Sequence, residues 1–157
     1  MGFGLFKRTP DRGGSGPAGL ESTVERYNAY FPRVFAYVHT CVGGEMPAQE
    51  IVVTAFYRAF ERAGRAGEDQ FQAVLFRTAR RLCRPALKER KSDDGDSLNQ
   101  REREVLSLVF DAALTRDQIA RLFRIRETTV SSLLVTGLRK LKEQTSPAAA
   151  TAYLNLA

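Results

Sequence analysis

LNQREREVLSLVFDAALTRDQIARLFRIRETTVSSLLVTGLRKLK, from Leu98 to Lys142, decides the fold, because its punctuation cuts it into three helices with short, defined breaks. Ser97 or Asn99 can cap a first helix in which Glu102, Val105, Leu106 and Val109 recur at helical spacing, with Asp111-Ala112-Ala113 as its exit. Thr115 caps a short second helix, Arg116 to Phe123, that puts Ile119, Ala120 and Phe123 on one side. Ala120 is small enough there for another helix to cross closely over it. The third helix runs from Glu127 to about Lys142. Its stripe of Val130, Leu134, Gly137, Leu138 and Leu141 predicts the buried side. Thr128, Ser131, Ser132, Val135 and Thr136 then face outward. This is a helix-turn-helix pattern, and in a DNA-binding member of that class the outward N-terminal face of the last helix enters the major groove.

Composition sets the bounds around this stretch. At 157 residues, 43% hydrophobic and 27% charged, the chain can bury one medium core or two small ones. The acidic cut at Asp93, Asp94 and Asp96 favours two. The net charge is +6 and the pI near 9.7. Distribution matters more than the sum, since a basic face is what meets phosphate. Glu21 to Lys91 carries twelve Lys/Arg against eight Asp/Glu, and Leu98 to Gln144 nine against six, so both halves are basic about an acidic joint. Cys41 and Cys83 match no metal-binding spacing, and His39 has only Cys41 near it in sequence. All three read as ordinary helix residues, and no metal or cofactor is expected. No apolar run is long enough to span a bilayer, which predicts a cytoplasmic chain without a membrane partner.

Upstream, residues 1–20 hold six glycines and two prolines with no period, the composition of a disordered arm. From Glu21 to Val42 the set Val24, Tyr27, Phe31, Val34, Phe35 and Val38 follows a helix that Pro32 should kink or divide and Gly43-Gly44 ends. A second helix carries Pro47 in its first turn and then Ala48, Ile51, Val52, Ala55, Phe56, Ala59 and Phe60, stopping before Gly64. A third buries Phe71, Val74, Leu75, Thr78, Ala79 and Leu82. Its opposite side bears Arg77, Arg80, Arg81, Arg84, Lys88, Arg90 and Lys91, interrupted only by Glu89. Solvated helix faces usually mix signs. A one-signed run over several turns points to a polyanion or a strongly acidic partner. The resulting organisation is all-α: an arm at 1–20, a helical domain at 21–91, an acidic linker at 92–97, a helix-turn-helix domain at 98–144 and a tail at 145–157.

REREVL (Arg101 to Leu106), QIA (Gln118 to Ala120) and RETTV (Arg126 to Val130) resemble the C-terminal promoter-reading domain of bacterial sigma factors, and equally the output domain of response regulators. The first half of the chain separates the two. YFPRVFAYV (Tyr30 to Val38), AQEIVVTAFYRAF (Ala48 to Phe60) and FQAVLFRTARRL (Phe71 to Leu82) resemble, in order and interval, the N-terminal domain of extracytoplasmic-function sigma factors, whereas a response regulator offers an α/β receiver.

The resemblance implies a non-enzymatic transcription initiation factor. Its partners would be RNA polymerase core, promoter DNA and, in some relatives, an anti-sigma factor. Glu50, Val53, Thr54 and Tyr57 would then face polymerase. Arg77, Arg80, Arg81, Arg84 and Lys88 would meet the upstream promoter element near the start site, and Arg121, Arg124, Arg126, Thr128, Ser131 and Ser132 the second element.

The departures from the family pattern fall on these same surfaces. Val53 and Thr54 replace a polar and an acidic residue, Val74 a tryptophan, Arg81 an asparagine, Pro85 an aspartate, and Ser131, Leu133 and Thr136 bases. Arg124 stands where the family has a turn glycine, at a cost of roughly 1–2 kcal/mol if the backbone is left-handed. Two other readings stay open on the sequence: a degenerate sigma-like regulator that does not initiate, and a helix-turn-helix regulator that dimerises through Val135 and Leu133.

Overall fold

A computed structural model of the chain describes residues 17–89 and 98–144. Six helices make up the described residues, with no strand among them: α1 Pro17–Val42, α2 Glu45–Ala63, α3 Glu68–Glu89, α4 Gln100–Phe110, α5 Arg116–Phe123 and α6 Glu127–Gln144. The all-α expectation holds. The chain divides into two compact units, Met1–Arg84 and Pro85–Ala157, so the division falls inside α3 rather than at 92–97. The acidic joint, Arg90, Lys91 and the tail at 145–157 lie outside the described residues.

In the first unit α1 and α2 form a hairpin across Gly43, whose φ of 76° is the left-handed turn that a glycine takes without strain. Gly44, extended, opens α2. The core joins Tyr30, Val34, Tyr37 and Val38 of α1, Ala48, Val52, Ala55, Phe56 and Ala59 of α2, and Phe71, Leu75, Phe76 and Ala79 of α3. Rings tie the three helices together: Tyr27 to Phe56 at 4.7 Å, Phe60 to Phe71 at 4.8 Å and Tyr30 to Phe71 at 5.7 Å between centroids. Arg26 clamps the α2–α3 loop. Its guanidinium donates to the carbonyls of Gly64 (3.0 Å) and Ala66 (2.6 Å) and to Glu68 Oε1 (2.7 Å), while lying over the Phe71 ring.

Four expectations for this unit need correction. Pro32 does not divide α1, which continues to Val42, because buried residues on both sides of it (Tyr30, Val34, Tyr37, Val38) hold the helix across one missing backbone donor. The helix begins at Pro17, inside the stretch read as a disordered arm, with proline at the first position where its missing N–H costs nothing. Val24 is exposed, not core, and Tyr27 is only partly covered, its ring packing on Phe56. α1 has 26 residues and α2 19, about 39 Å against about 28 Å, and the Arg26 clamp sets the α2 terminus level with residue 26, so Val24 lies beyond it. Leu82 is half-buried, whereas Gln72, Phe76 and Cys83, outside the expected stripe, are buried.

The second unit packs α6 across both α4 and α5. Gly137 is the crossing point with α4. A Cβ there would stand 3.0 Å from Leu106 Cδ1 and 3.6 Å from Glu102 Cβ, so a larger residue would require the Leu106 side chain to give by a few tenths of an ångström. Beside it Glu102, nearly buried, accepts from Lys140 Nζ at 3.0 Å on both oxygens. The same carboxylate closes the α4 capping box, taking the Asn99 backbone N–H (3.2 Å) while the Asn99 side chain takes the Glu102 N–H (2.9 Å). One glutamate therefore starts α4 and pins α6 to it.

Leu138 and Leu141, expected in the core, are exposed, and Leu134 is half-buried; Val130 and Gly137 alone of that stripe are buried. α6 extends about 27 Å and α4 about 16 Å, so Leu141 runs past the start of α4, while Leu138, level with Gly137 and Lys140, lies at the margin of the packed face among the described residues.

Candidate nucleic-acid and protein interfaces

Between α5 and α6 the chain makes the tight turn that defines a helix-turn-helix. Thr115 and Gln118 form a capping box at the start of α5 (2.9 and 3.2 Å). At its end Arg124 adopts φ 57°, ψ 47°, and the Arg124 and Ile125 N–H groups return to the carbonyls of Arg121 (3.4 Å) and Ala120 (3.0 Å), a Schellman closure. The left-handed backbone anticipated at Arg124 is present, on a residue with a full side chain. A second one, at Ala113 (φ 56°), closes the α4–α5 turn, and nothing in the residue type announced it.

Around this turn the expected cations are exposed. Arg121 is paired with Asp117 one turn earlier, while Arg124 and Arg126 stand on the turn itself. On α6 Thr128 and Ser132 are exposed and Ser131 is half-buried. Ser131 is not free: its Oγ accepts from Arg116 Nη1 at 2.9 Å. Arg116, the first residue of α5, was not among the residues anticipated from sequence, since its meeting with Ser131 depends on the crossing of α5 and α6. The fold thus brings Arg116, Arg121, Arg124, Arg126 and the hydroxyl face of α6 onto one unit.

Residues 96–143 match the model of sigma-70, region 4. No curated protein and no solved structure matches the chain. The region 4 match covers α4, α5 and α6 entire but for Gln144, so the helix-turn-helix geometry and the family likeness coincide on the same stretch. The match therefore includes the α5–α6 turn whose backbone closures are given above.

The other expected sites lie on the first unit and on the α3 residues that follow it. Arg77, Arg81, Arg84 and Lys88 are exposed along α3 and Arg80 is half-buried, at spacings that keep all five on one side. Val74, in the place of the family's tryptophan, is buried, and its carbonyl accepts from Thr78 Oγ1 at 2.7 Å.

On α2, Val53 and Tyr57 are among the most exposed apolar side chains, at 59% and 71%. Glu50 is exposed beside them. Thr54 is half-buried, and its hydroxyl donates back to the Glu50 carbonyl at 2.9 Å. Met46, 69% exposed and one turn before Glu50, belongs to the same face and was missed, because a methionine in a first turn carries no periodic signal by itself. Among the described residues no cluster of His, Cys, Asp or Glu could hold a metal, and no helix is long and apolar enough to cross a membrane.

Proposed function

We propose that the chain is a sigma factor of extracytoplasmic-function type, which directs transcription initiation by binding core RNA polymerase and promoter DNA. The observation that carries this reading is the coincidence of the region 4 match with a closed helix-turn-helix whose exposed cations surround the turn. In this reading α6 lies in the major groove and reads bases through Thr128 and Ser132, while arginines at the turn hold phosphates, the usual division between sequence readout and positioning. The basic face of α3, Arg77 to Lys88, meets the element nearer the start site. The outward face of α2, with Glu50, Val53, Thr54 and Tyr57 now joined by Met46, docks on polymerase. An exposed apolar strip that leaves the helix fully folded is what a protein partner requires. Such a factor works in the cytoplasm, is not an enzyme, and can be held off polymerase by an anti-sigma factor.

The test is run-off transcription from genomic DNA with core polymerase, with and without the chain. New discrete transcripts support initiation. Their absence with DNA binding intact favours the second reading, a sigma-like regulator that binds without initiating. One observation speaks for that alternative: α6 presents no base between Glu127 and Leu138, so its grip on duplex rests on cations borrowed from outside the helix.

A further inference from the structure

We infer that Arg116 and Ser131 together form a phosphate-holding site of the recognition surface, with Arg116 supplying from α5 the cation that α6 lacks. The inference rests on the reading that this unit binds duplex DNA, and goes beyond it by naming the atoms. α6 begins with an acid, Glu127, and carries no Lys or Arg until Arg139, about three turns later. A helix entering the groove in that state would meet the phosphate walls with hydroxyls alone. Arg116 changes this. It is exposed, it opens the helix that crosses α6, and its Nη1 donates to Ser131 Oγ at 2.9 Å, which sets the guanidinium beside the second turn of the reading helix.

Donor arithmetic then gives the pair its chemistry. A guanidinium has five N–H donors and no acceptor. One N–H goes to Ser131. No carboxylate among the described residues pairs with Arg116, whereas Arg121 is bound to Asp117. Ser131 Oγ, having accepted from the arginine, still holds its own proton and can donate it to an acceptor. Two kinds of donor, one of them charged, therefore converge with no partnered acid between them, and a phosphodiester oxygen is the complementary acceptor. An internal tie between helices would serve equally well with a neutral side chain, so the charge is the feature to test.

The full chain is titrated against a labelled mixed-sequence duplex by fluorescence anisotropy, from about 50 to about 200 mM salt, as wild type, Arg116→Ala, Ser131→Ala and the double variant Arg116→Ala/Ser131→Lys. Each phosphate contact contributes a slope of about 0.9 in log K against log salt. Arg116→Ala should lower the slope by about 1, so that its affinity deficit shrinks about three- to fourfold across this range. Lysine at 131 should restore the slope by returning a cation to the same place, and Ser131→Ala should weaken binding at unchanged slope. If Arg116→Ala binds less tightly with the wild-type slope, or if the double variant restores nothing, the pair is a structural tie and the inference fails while the DNA-binding reading stands. If wild type binds no duplex at low salt, both fall.

Discussion

Replacing Arg124 by glycine should stabilise the C-terminal unit and weaken its hold on DNA at once. The backbone at this position has φ 57° and ψ 47°. For a residue with a Cβ that conformation costs roughly 1–2 kcal/mol. Glycine removes the strain but returns about 0.4–1 kcal/mol through the greater freedom of its unfolded chain. The difference is a net gain of about 0.5–1 kcal/mol, with the closures of Arg124 and Ile125 onto Arg121 and Ala120 unchanged, since they use only backbone. Arg124→Ala is the control, because alanine keeps the strain while losing the charge.

The unit's described residues contain no tyrosine and the chain no tryptophan, so native-state hydrogen exchange is the suitable assay. Val105 and Leu108, fully buried in α4, report its opening. Their protection should rise about two- to fivefold in Arg124→Gly and stay near wild type in Arg124→Ala. Both variants should lose about 1 from the salt slope of duplex binding. Equal or lower protection in the glycine variant would refute the claim that the turn carries strain for the sake of a charge.

Other perturbations follow from the same structure. Glu102→Ala strands Lys140 and opens the α4 cap; because Lys140 is part-exposed, the loss should be about 2–3 kcal/mol, below the range for breaking a fully buried pair, and a double-mutant cycle with Lys140→Ala should show coupling. Tyr30 is buried and donates to Glu68 Oε2 at 3.1 Å, and burial first, then that carboxylate, raises its phenol above the ordinary range. A raised folded-state value favours the neutral form, so its contribution is complete below about pH 10 and fades as pH rises beyond. The stability difference between wild type and Tyr30→Phe in urea unfolding should therefore shrink above about pH 10, and a difference that grows there would contradict the assignment. Changing Arg121, Arg124 and Arg126 together to Ala should remove most duplex affinity and flatten its salt dependence; unchanged affinity would move the DNA site elsewhere. Val53→Asp, at a 59% exposed position, should abolish capture of core polymerase without altering the circular dichroism spectrum.

The helices of both units were legible because their signals are local. Gly43-Gly44, Asn99, Thr115 and the period of α2 each act within one or two turns. What the sequence hid depends on how far one helix extends beside another. Leu141 sits on a stripe continuous with Val130, and periodicity contains no term for the point at which α4 ends. Val24 was misplaced for the same reason at the start of α1. Pro32 shows the converse, a strong local breaker overridden by tertiary burial on either side. At the candidate interfaces, exposed cations on α3 and at the turn could be read from type and spacing. Arg116 could not, because its partner lies fifteen positions away across a helix crossing.

The arrangement of charge in the C-terminal unit has a consequence for selectivity. Cations on a reading helix serve two roles, contacting phosphates and, when they reach the groove floor, guanine edges. Here the cations lie at the start of α5 and on the turn, while the α6 face that would enter the groove carries Thr128, Ser131 and Ser132. Phosphate contacts fix position without reading sequence. Discrimination is then left to short hydroxyls, which offer no bidentate pair of the arginine–guanine kind at about 1–3 kcal/mol, and to the shape of the duplex. A protein built this way should bind duplex with a steep salt dependence and a shallow preference among sequences. Gains in specificity would have to come from a second contact surface, for which the basic side of α3 is the candidate. Exchanging Ser132 for Arg tests the point: a single bidentate-capable side chain on the groove face should sharpen the sequence preference more than it raises the salt slope, and a change in slope alone would place that face against phosphate instead.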